Sequence, residues 1–144
     1  MIKFGKKITG IELSLPALIA KLSQRSFVRS VYLFGSHAVN SADELSDIDI
    51  ALHADGGRLP FDTELELLAE ITSALGTDEV SLVILNNAPL AIAYGVINKA
   101  RVLYSRDEHE RIDYEALIMR KYFDFKYYLD TYDREFISFI LRPK

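Results

Sequence analysis

Two carboxylates, Asp47 and Asp49, stand two residues apart in Ser46-Asp47-Ile48-Asp49-Ile50. On a β-strand side chains alternate, so both acids share one face, their Cα atoms roughly 6–7 Å apart, while Ile48 and Ile50 turn toward a core. Two bare carboxylates on one face repel, and a hard divalent cation offsets that repulsion. Magnesium takes a few carboxylates together with phosphate oxygens. In phosphoryl-type transfer, two such metals about 3.5–4 Å apart clamp the attacking and leaving oxygens. Separated from Asp47 by ten residues, the run Val31-Tyr32-Leu33-Phe34 ends in Gly35-Ser36. Glycine there lets the backbone turn and approach a ligand closely. Ser36 then caps a short turn over residues 37–40, and N–H groups at such a start, with a hydroxyl beside them, suit a phosphate. One half of the constellation thus holds a triphosphate and the other its metal. Gly-Ser alone occurs in many loops, and a lone Asp-x-Asp is as readily an exposed sheet edge. The combination and its spacing are what is specific.

The elements that must position these residues follow from periodicity. Ser14-Leu15-Pro16 has the form of a helix start, serine as cap and proline in the first turn, with the helix running to about Ser26. Val28 to Phe34 is β-branched and aromatic and reads as a buried strand. Asp47 to His53 is a second strand with one polar face, followed by an Asp55-Gly56-Gly57 turn. Pro60 to Leu75 has Leu65, Leu68, Ile71, Thr72 and Leu75 at helical spacing and ends at Gly76. Val80 to Leu85 is a third strand, Pro89 to Lys99 a short helix, and Arg101 to Tyr104 a short strand. Beyond them Tyr114, Ile118, Tyr122, Phe125, Leu129, Tyr132, Phe136 and Phe139 recur at spacings of four and three, one stripe on a long helix close to a heptad period. That stripe either packs on its own domain or docks a partner, because a small domain has limited surface to cover it. Arg120, Lys121, Asp124, Lys126 and Asp130 mix both signs, as on a solvated face.

Composition sets the frame. A chain of 144 residues, 49% hydrophobic and 26% charged, suits one globular domain over 1–144, with a core at about 14–105 and a helical region at about 107–141. The alternation of helices and strands predicts an α+β fold, a small mixed sheet with flanking helices and a long C-terminal helix. A net charge of −4 argues against a broad nucleic-acid binder. With no cysteine, a disulfide framework and a thiolate site are excluded. No apolar run reaches the roughly 20 residues of a bilayer span, and no signal-peptide pattern follows the N-terminal lysines. A cytoplasmic location without membrane contact is the expectation. His53 and His109 have no partners at ligand spacing and read as structural or surface residues.

The phrases Val31-Tyr32-Leu33-Phe34-Gly35-Ser36 and Ser46-Asp47-Ile48-Asp49-Ile50, with Val80-Ser81-Leu82-Val83-Ile84-Leu85-Asn86-Asn87-Ala88-Pro89 downstream, resemble the nucleotidyltransferase superfamily that includes DNA polymerase beta. Within it the chain is most similar to the minimal nucleotidyltransferases, the MNT antitoxins, over roughly residues 14–105. The resemblance implies a polymerase-beta-like fold. It also implies ATP as substrate with Mg2+, Gly35 and Ser36 as nucleotide-binding residues, and Asp47 and Asp49 as catalytic metal ligands. It implies transfer of AMP to a hydroxyl, a tyrosine's, on a cognate HEPN-type RNase toxin, which is thereby neutralised. The alternative is a fold of weak or no activity that neutralises the toxin by direct binding. The C-terminal helix is the expected surface for a homo- or hetero-oligomer.

Two positions depart from the family pattern. Where the family carries a third carboxylate in a Val-Asp-Leu-Val context, this chain has Ser81. Serine is neither an anion nor a useful base near neutral pH. Glu79, two residues earlier on the same face, is the candidate to reach in, and Asp78 has the wrong parity. After Gly35-Ser36, an Arg-Ala-Arg-Gly pattern is replaced by His37-Ala38-Val39-Asn40, with His37 as a remaining phosphate donor or a plain loop histidine.

Overall fold

The computed structural model describes residues 3–35 and 47–141. Helix α1 (Lys3–Ser23) leads into strand β1 (Val28–Phe34). Strand β2 (Ile48–Ala54), helix α2 (Phe61–Leu75) and strand β3 (Val80–Ile84) follow. A single 3-10 turn over Leu85–Asn87 precedes helix α3 (Leu90–Lys99), strand β4 (Arg101–Ser105) and helix α4 (Glu108–Ile140). The four strands form one mixed sheet in the order β3-β2-β1-β4. The β1 strand is antiparallel to both β2 and β4, and β2 is parallel to β3. The C-terminal end of β1 therefore meets the N-terminal ends of β2, β3 and β4 at one end of the sheet.

Both faces are covered, as strand alternation requires. Leu15, Leu18 and Leu22 of α1 and Leu67 and Ile71 of α2 pack with Val31, Leu33, Ile50 and Leu52 on one face. On the other, Ala93, Val96 and Ile97 of α3 pack with Tyr32 and Ala51, joined by Tyr114, Ile118 and Met119 of α4. The strand limits agree with the sequence pattern to within a residue. The third strand stops at Ile84, and Leu85 enters the 3-10 turn.

Two expectations are corrected. Ser14 does not start α1. The helix begins at Lys3 and carries Pro16 in its interior. Proline forfeits one backbone hydrogen bond there, but Leu15, Leu18 and Leu22 are clamped in the core. That burial outweighs the local penalty. On α2 the buried residues are Leu67 and Ile71, whereas Leu65 lies exposed. The packed stripe is rotated from the one that spacing alone selected, because α1 meets α2 from the side of Leu67. The long stripe of α4 is covered only over its first part: Tyr114, Ile118 and Tyr122 are half-buried, and residues from Phe123 to Leu141 are exposed apart from Thr131.

Turn chemistry works as its residues dictate. Gly76 caps α2 in the left-handed conformation (φ 71°), its N–H donating to the Thr72 carbonyl. Asp107 caps α4, its carboxylate accepting from the N–H groups of His109 and Glu110. The root of α4 is tied to the sheet by polar contacts. Tyr32 donates from its hydroxyl to Glu115 at 2.8 Å, and Arg111 pairs with Glu115 at 2.8 Å. At the far end of the sheet Arg106 makes two bonds to Asp55 (2.8 and 3.1 Å) and binds Glu110, and Arg29 also contacts Asp55. These two arginines hold the Asp55 carboxyl well below the usual carboxylate range.

Asn86 and Asn87 hold the chain as an extra rung of backbone would. Asn86 accepts from the Ala54 N–H (2.9 Å) and donates to the Ala54 carbonyl (2.8 Å). Asn87 does the same for Leu59, at 2.9 and 3.2 Å. Asn86→Ala leaves both polar groups of nearly buried Ala54 without partners. A loss of roughly 2–3 kcal/mol is expected, read as a lower midpoint in urea unfolding with an unchanged slope. Among the described residues no helix is long and apolar enough to cross a membrane.

Candidate active site

At the sheet end where the strands converge, β1 runs out into Gly35, which has φ 73°. L-residues with a side chain are strained in that region. A second constraint acts at the same residue. A Cβ built on Gly35 would collide with Asp49 Oδ2 and lie 3.1 Å from Asp49 Cγ. The β1–β2 register explains the contact, because Phe34 pairs with Asp49. The glycine backbone and the strand carboxylate are thus packed directly together. Gly35→Ala must strain the backbone and push Asp49 aside. A strain of about 1–2 kcal/mol is expected from the conformation alone. The expected readout is a fall in nucleotide affinity larger than the loss of thermal stability predicts, measured by calorimetric titration beside a melting curve.

Asp47 is exposed, Ile48 is buried, Asp49 is half-buried and Ile50 is fully buried. The alternation expected from the sequence holds, and it sends Ile48 and Ile50 into the α1–α2 core. Beyond Asp49 the same strand face carries Ala51 and His53, both buried. His53 stacks on Tyr114 with ring centroids 3.6 Å apart. Burial, with Arg29 nearby, lowers its pKa to about 4. It is a neutral packed histidine, as the sequence suggested. The unfolded chain binds this proton near 6.5 and the folded chain only near 4. Stability supplied by neutral His53 is therefore complete above about pH 6.5 and is lost as pH falls toward 4. The total is on the order of 3 kcal/mol at most. The stability–pH slope across that window should be shallower in His53→Phe than in the wild type. His109 is exposed on α4 and lends its backbone N–H to the Asp107 cap.

With His53 and Ala51 covered by α3 and α4, the acidic face of β2 is, among the described residues, uncovered at its N-terminal end, beside Gly35. Ser81 is the Cα partner of Asp49 across the parallel β2–β3 ladder and is exposed. Ser81, where the resemblance implied a third acid, thus lies next to Asp49. The Glu79 carbonyl accepts from Ile48 N–H at 3.0 Å. Continuing the register one step from the Ile48–Val80 pair sets exposed Glu79 alongside Asp47. Asp78 falls on the opposite parity. Arg101, paired with Leu33 at the same sheet end, is engaged by Glu12 of α1 through two bonds of 2.6 and 3.1 Å. Ser36, His37 and the turn over residues 37–40 lie outside the described residues.

Two carboxylates, with a glycine backbone approaching one of them, match the donor set magnesium prefers when phosphate oxygens complete its shell. Among the described residues no group of three or more His, Cys, Asp or Glu is arranged to hold a metal. Sequence reasoning missed Asn86, Asn87 and the Tyr32–Glu115 link. Their partners lie about thirty or more residues away, and no short spacing announces them.

Comparison with known proteins agrees with this geometry. The family model described as polymerase beta, nucleotidyltransferase matches residues 17–109. A chain in the structure of the tri-AMPylated Shewanella oneidensis HEPN toxin in complex with MNT antitoxin superposes with TM-score 0.68 at 23% identity, covering 88% of this chain and 98% of that one. A chain of a toxin–antitoxin structure with AMP-PNP gives 0.63 at 26% identity, covering 86% and 96%. A chain of the toxin–antitoxin MntA–HepT gives 0.62 at 24% identity, covering 90% and 98%. No curated protein matches the chain. The family match extends from α1 through all four strands to the start of α4, and takes in the Gly35–Asp49 contact: the chain belongs to the polymerase beta nucleotidyltransferase family.

Proposed function

We propose that this chain is an MNT-type antitoxin that transfers AMP from ATP to a tyrosine hydroxyl of a cognate HEPN-type RNase toxin. The observation that carries the reading is the packing of the Gly35 backbone against Asp49, beside Asp47, at the open end of the sheet. Relatives of the same fold supply the context, one a complex holding a tri-AMPylated HEPN toxin and another holding AMP-PNP. In this reading residues 1–144 act as one nucleotidyltransferase domain in the cytoplasm. Gly35 and Ser36 hold the triphosphate by backbone N–H groups and a hydroxyl, and Asp47 and Asp49 hold Mg2+. Bound there, the cation would neutralise charge on the phosphates. The acceptor oxygen bonds to the α-phosphorus, its proton passes to solvent or a nearby carboxylate, and pyrophosphate departs. The chain contributes mainly position and fixed charge. Asp49 is held by its strand and by Gly35, so its carboxylate is oriented before nucleotide arrives.

A second reading has one specific observation in its favour. Ser81 stands beside Asp49 where the family's third acid is expected, and a chain lacking a base there neutralises its toxin by contact alone. Incubation with α-labelled ATP, magnesium and the cognate toxin separates the two. Label on the toxin is expected. An unlabelled toxin that is nonetheless silenced would replace transfer with binding.

A further inference from the structure

The stripe of α4 outruns the domain that should cover it. Its root packs on β1 and α3, and Tyr122 stacks on Tyr94 with ring centroids 4.0 Å apart. Past that stack the helix continues for eighteen residues, Phe123 to Ile140, roughly 27 Å at 1.5 Å per residue. Phe125, Leu129, Tyr132, Phe136 and Phe139 there are 40–63% exposed. From Tyr122 the spacing is three, four, three, four, three, the pattern of the apolar seam of a two-stranded coiled coil. The seam continues the face by which the root is already packed.

We propose that the seam is covered by α4 of a second copy of this chain, lying antiparallel about a two-fold axis. Charge complementarity favours one register. Setting Tyr122 opposite Phe139 of the second copy puts Phe125 opposite Phe136 and Leu129 opposite Tyr132. In that register the flanking Lys126 faces Asp133 of the second copy, and symmetry forms the pair twice. A shift of one heptad either way sets Lys126 against Lys126 or Asp133 against Asp133. A parallel arrangement sets Lys121 against Lys126. Full antiparallel overlap covers the whole uncovered seam and joins Lys126 to Asp133 twice, whereas the one-heptad shift that pairs Lys121 with Glu135 sets Lys126 against itself and leaves Phe136 and Phe139 uncovered. The two domains then sit at opposite ends of the helix pair. The pairing holds whether or not the chain transfers AMP.

Sedimentation of the full chain without toxin should show a concentration-dependent dimer. Lys126→Glu should raise the dimer's dissociation constant about tenfold or more, since close interfacial charge pairs couple strongly. Adding Asp133→Lys should restore it to within about threefold of wild type. Both positions are exposed, and circular dichroism verifies that helix content is kept. Phe125→Asp with Phe136→Asp should give monomer. A wild-type chain that stays monomeric across micromolar concentrations overturns the proposal, as does a charge swap that fails to restore pairing. If the Phe125→Asp/Phe136→Asp variant keeps its dimer and instead loses toxin binding, the seam belongs to the toxin and the proposal is wrong.

Discussion

Replacing Asp47 and Asp49 together by alanine should lower AMP transfer by at least about 10³-fold, a barrier increase of roughly 4 kcal/mol, while the fold is retained. Neither side chain contributes apolar burial: Asp47 is exposed, Asp49 is half-buried, and the core residues alternate with them. Removing both acids also removes a like-charge repulsion across one strand face. Stability should therefore change by no more than about 1 kcal/mol, in line with surface substitutions away from the core. Labelled-AMP incorporation and a melting curve on the same preparation check the two halves. The single Asp49→Ala variant should be the more damaging, because Asp49 is the acid packed on Gly35. Transfer that persists in the double variant would remove this end of the sheet as the active site.

Ser81→Asp should raise transfer by about 10- to 100-fold, up to the lower limit of what a positioned acid–base group supplies. Ser81 is exposed and paired with Asp49 in the parallel ladder, so an aspartate there joins the acidic face without repacking the core. Three acids in a row repel, and a neighbouring like-charge pair in a sheet is unfavourable by a fraction of a kcal/mol. The variant should melt below wild type without magnesium and recover when magnesium is added. An unchanged rate would mean that the third acid already comes from elsewhere. Glu79→Gln should then sharply reduce the wild-type rate.

What was legible in the sequence follows from the range of each interaction. The four strands showed because alternation is a local property, and Gly35 with Asp49 showed because a turn glycine and paired acids are short patterns. The Ser14 start failed because a local cap signal was outweighed by Leu15, Leu18 and Leu22 in the core, which hold Pro16 inside a longer helix. The rotated face of α2 failed for a related reason: spacing gives the period of a stripe, while its phase is set by what packs on it. Asn86 and Asn87 were quoted as part of a family phrase, yet their work is on the backbone of Ala54 and Leu59. The half-covered stripe of α4 was legible as a stripe, but where its cover ends depends on the length of α3 and the position of Tyr94.

The β1 strand lies between β2 and β4, and Val28, Ser30, Val31, Tyr32 and Leu33 are all buried. Its amide hydrogens have hydrogen-bonded neighbours on both sides and helices above and below. They should exchange with deuterium only when the whole domain opens, whereas amides past Phe123 on α4 need only a local fraying event. Gly35 is the first residue beyond this slowest-exchanging strand. Among the described residues, the Gly35–Asp49 end is thus mounted on a slowly exchanging segment, and the seam on a labile one. Isotope exchange read along the sequence would rank the two ends in opposite order, and a second copy pairing on α4 would slow the labile end without touching the other.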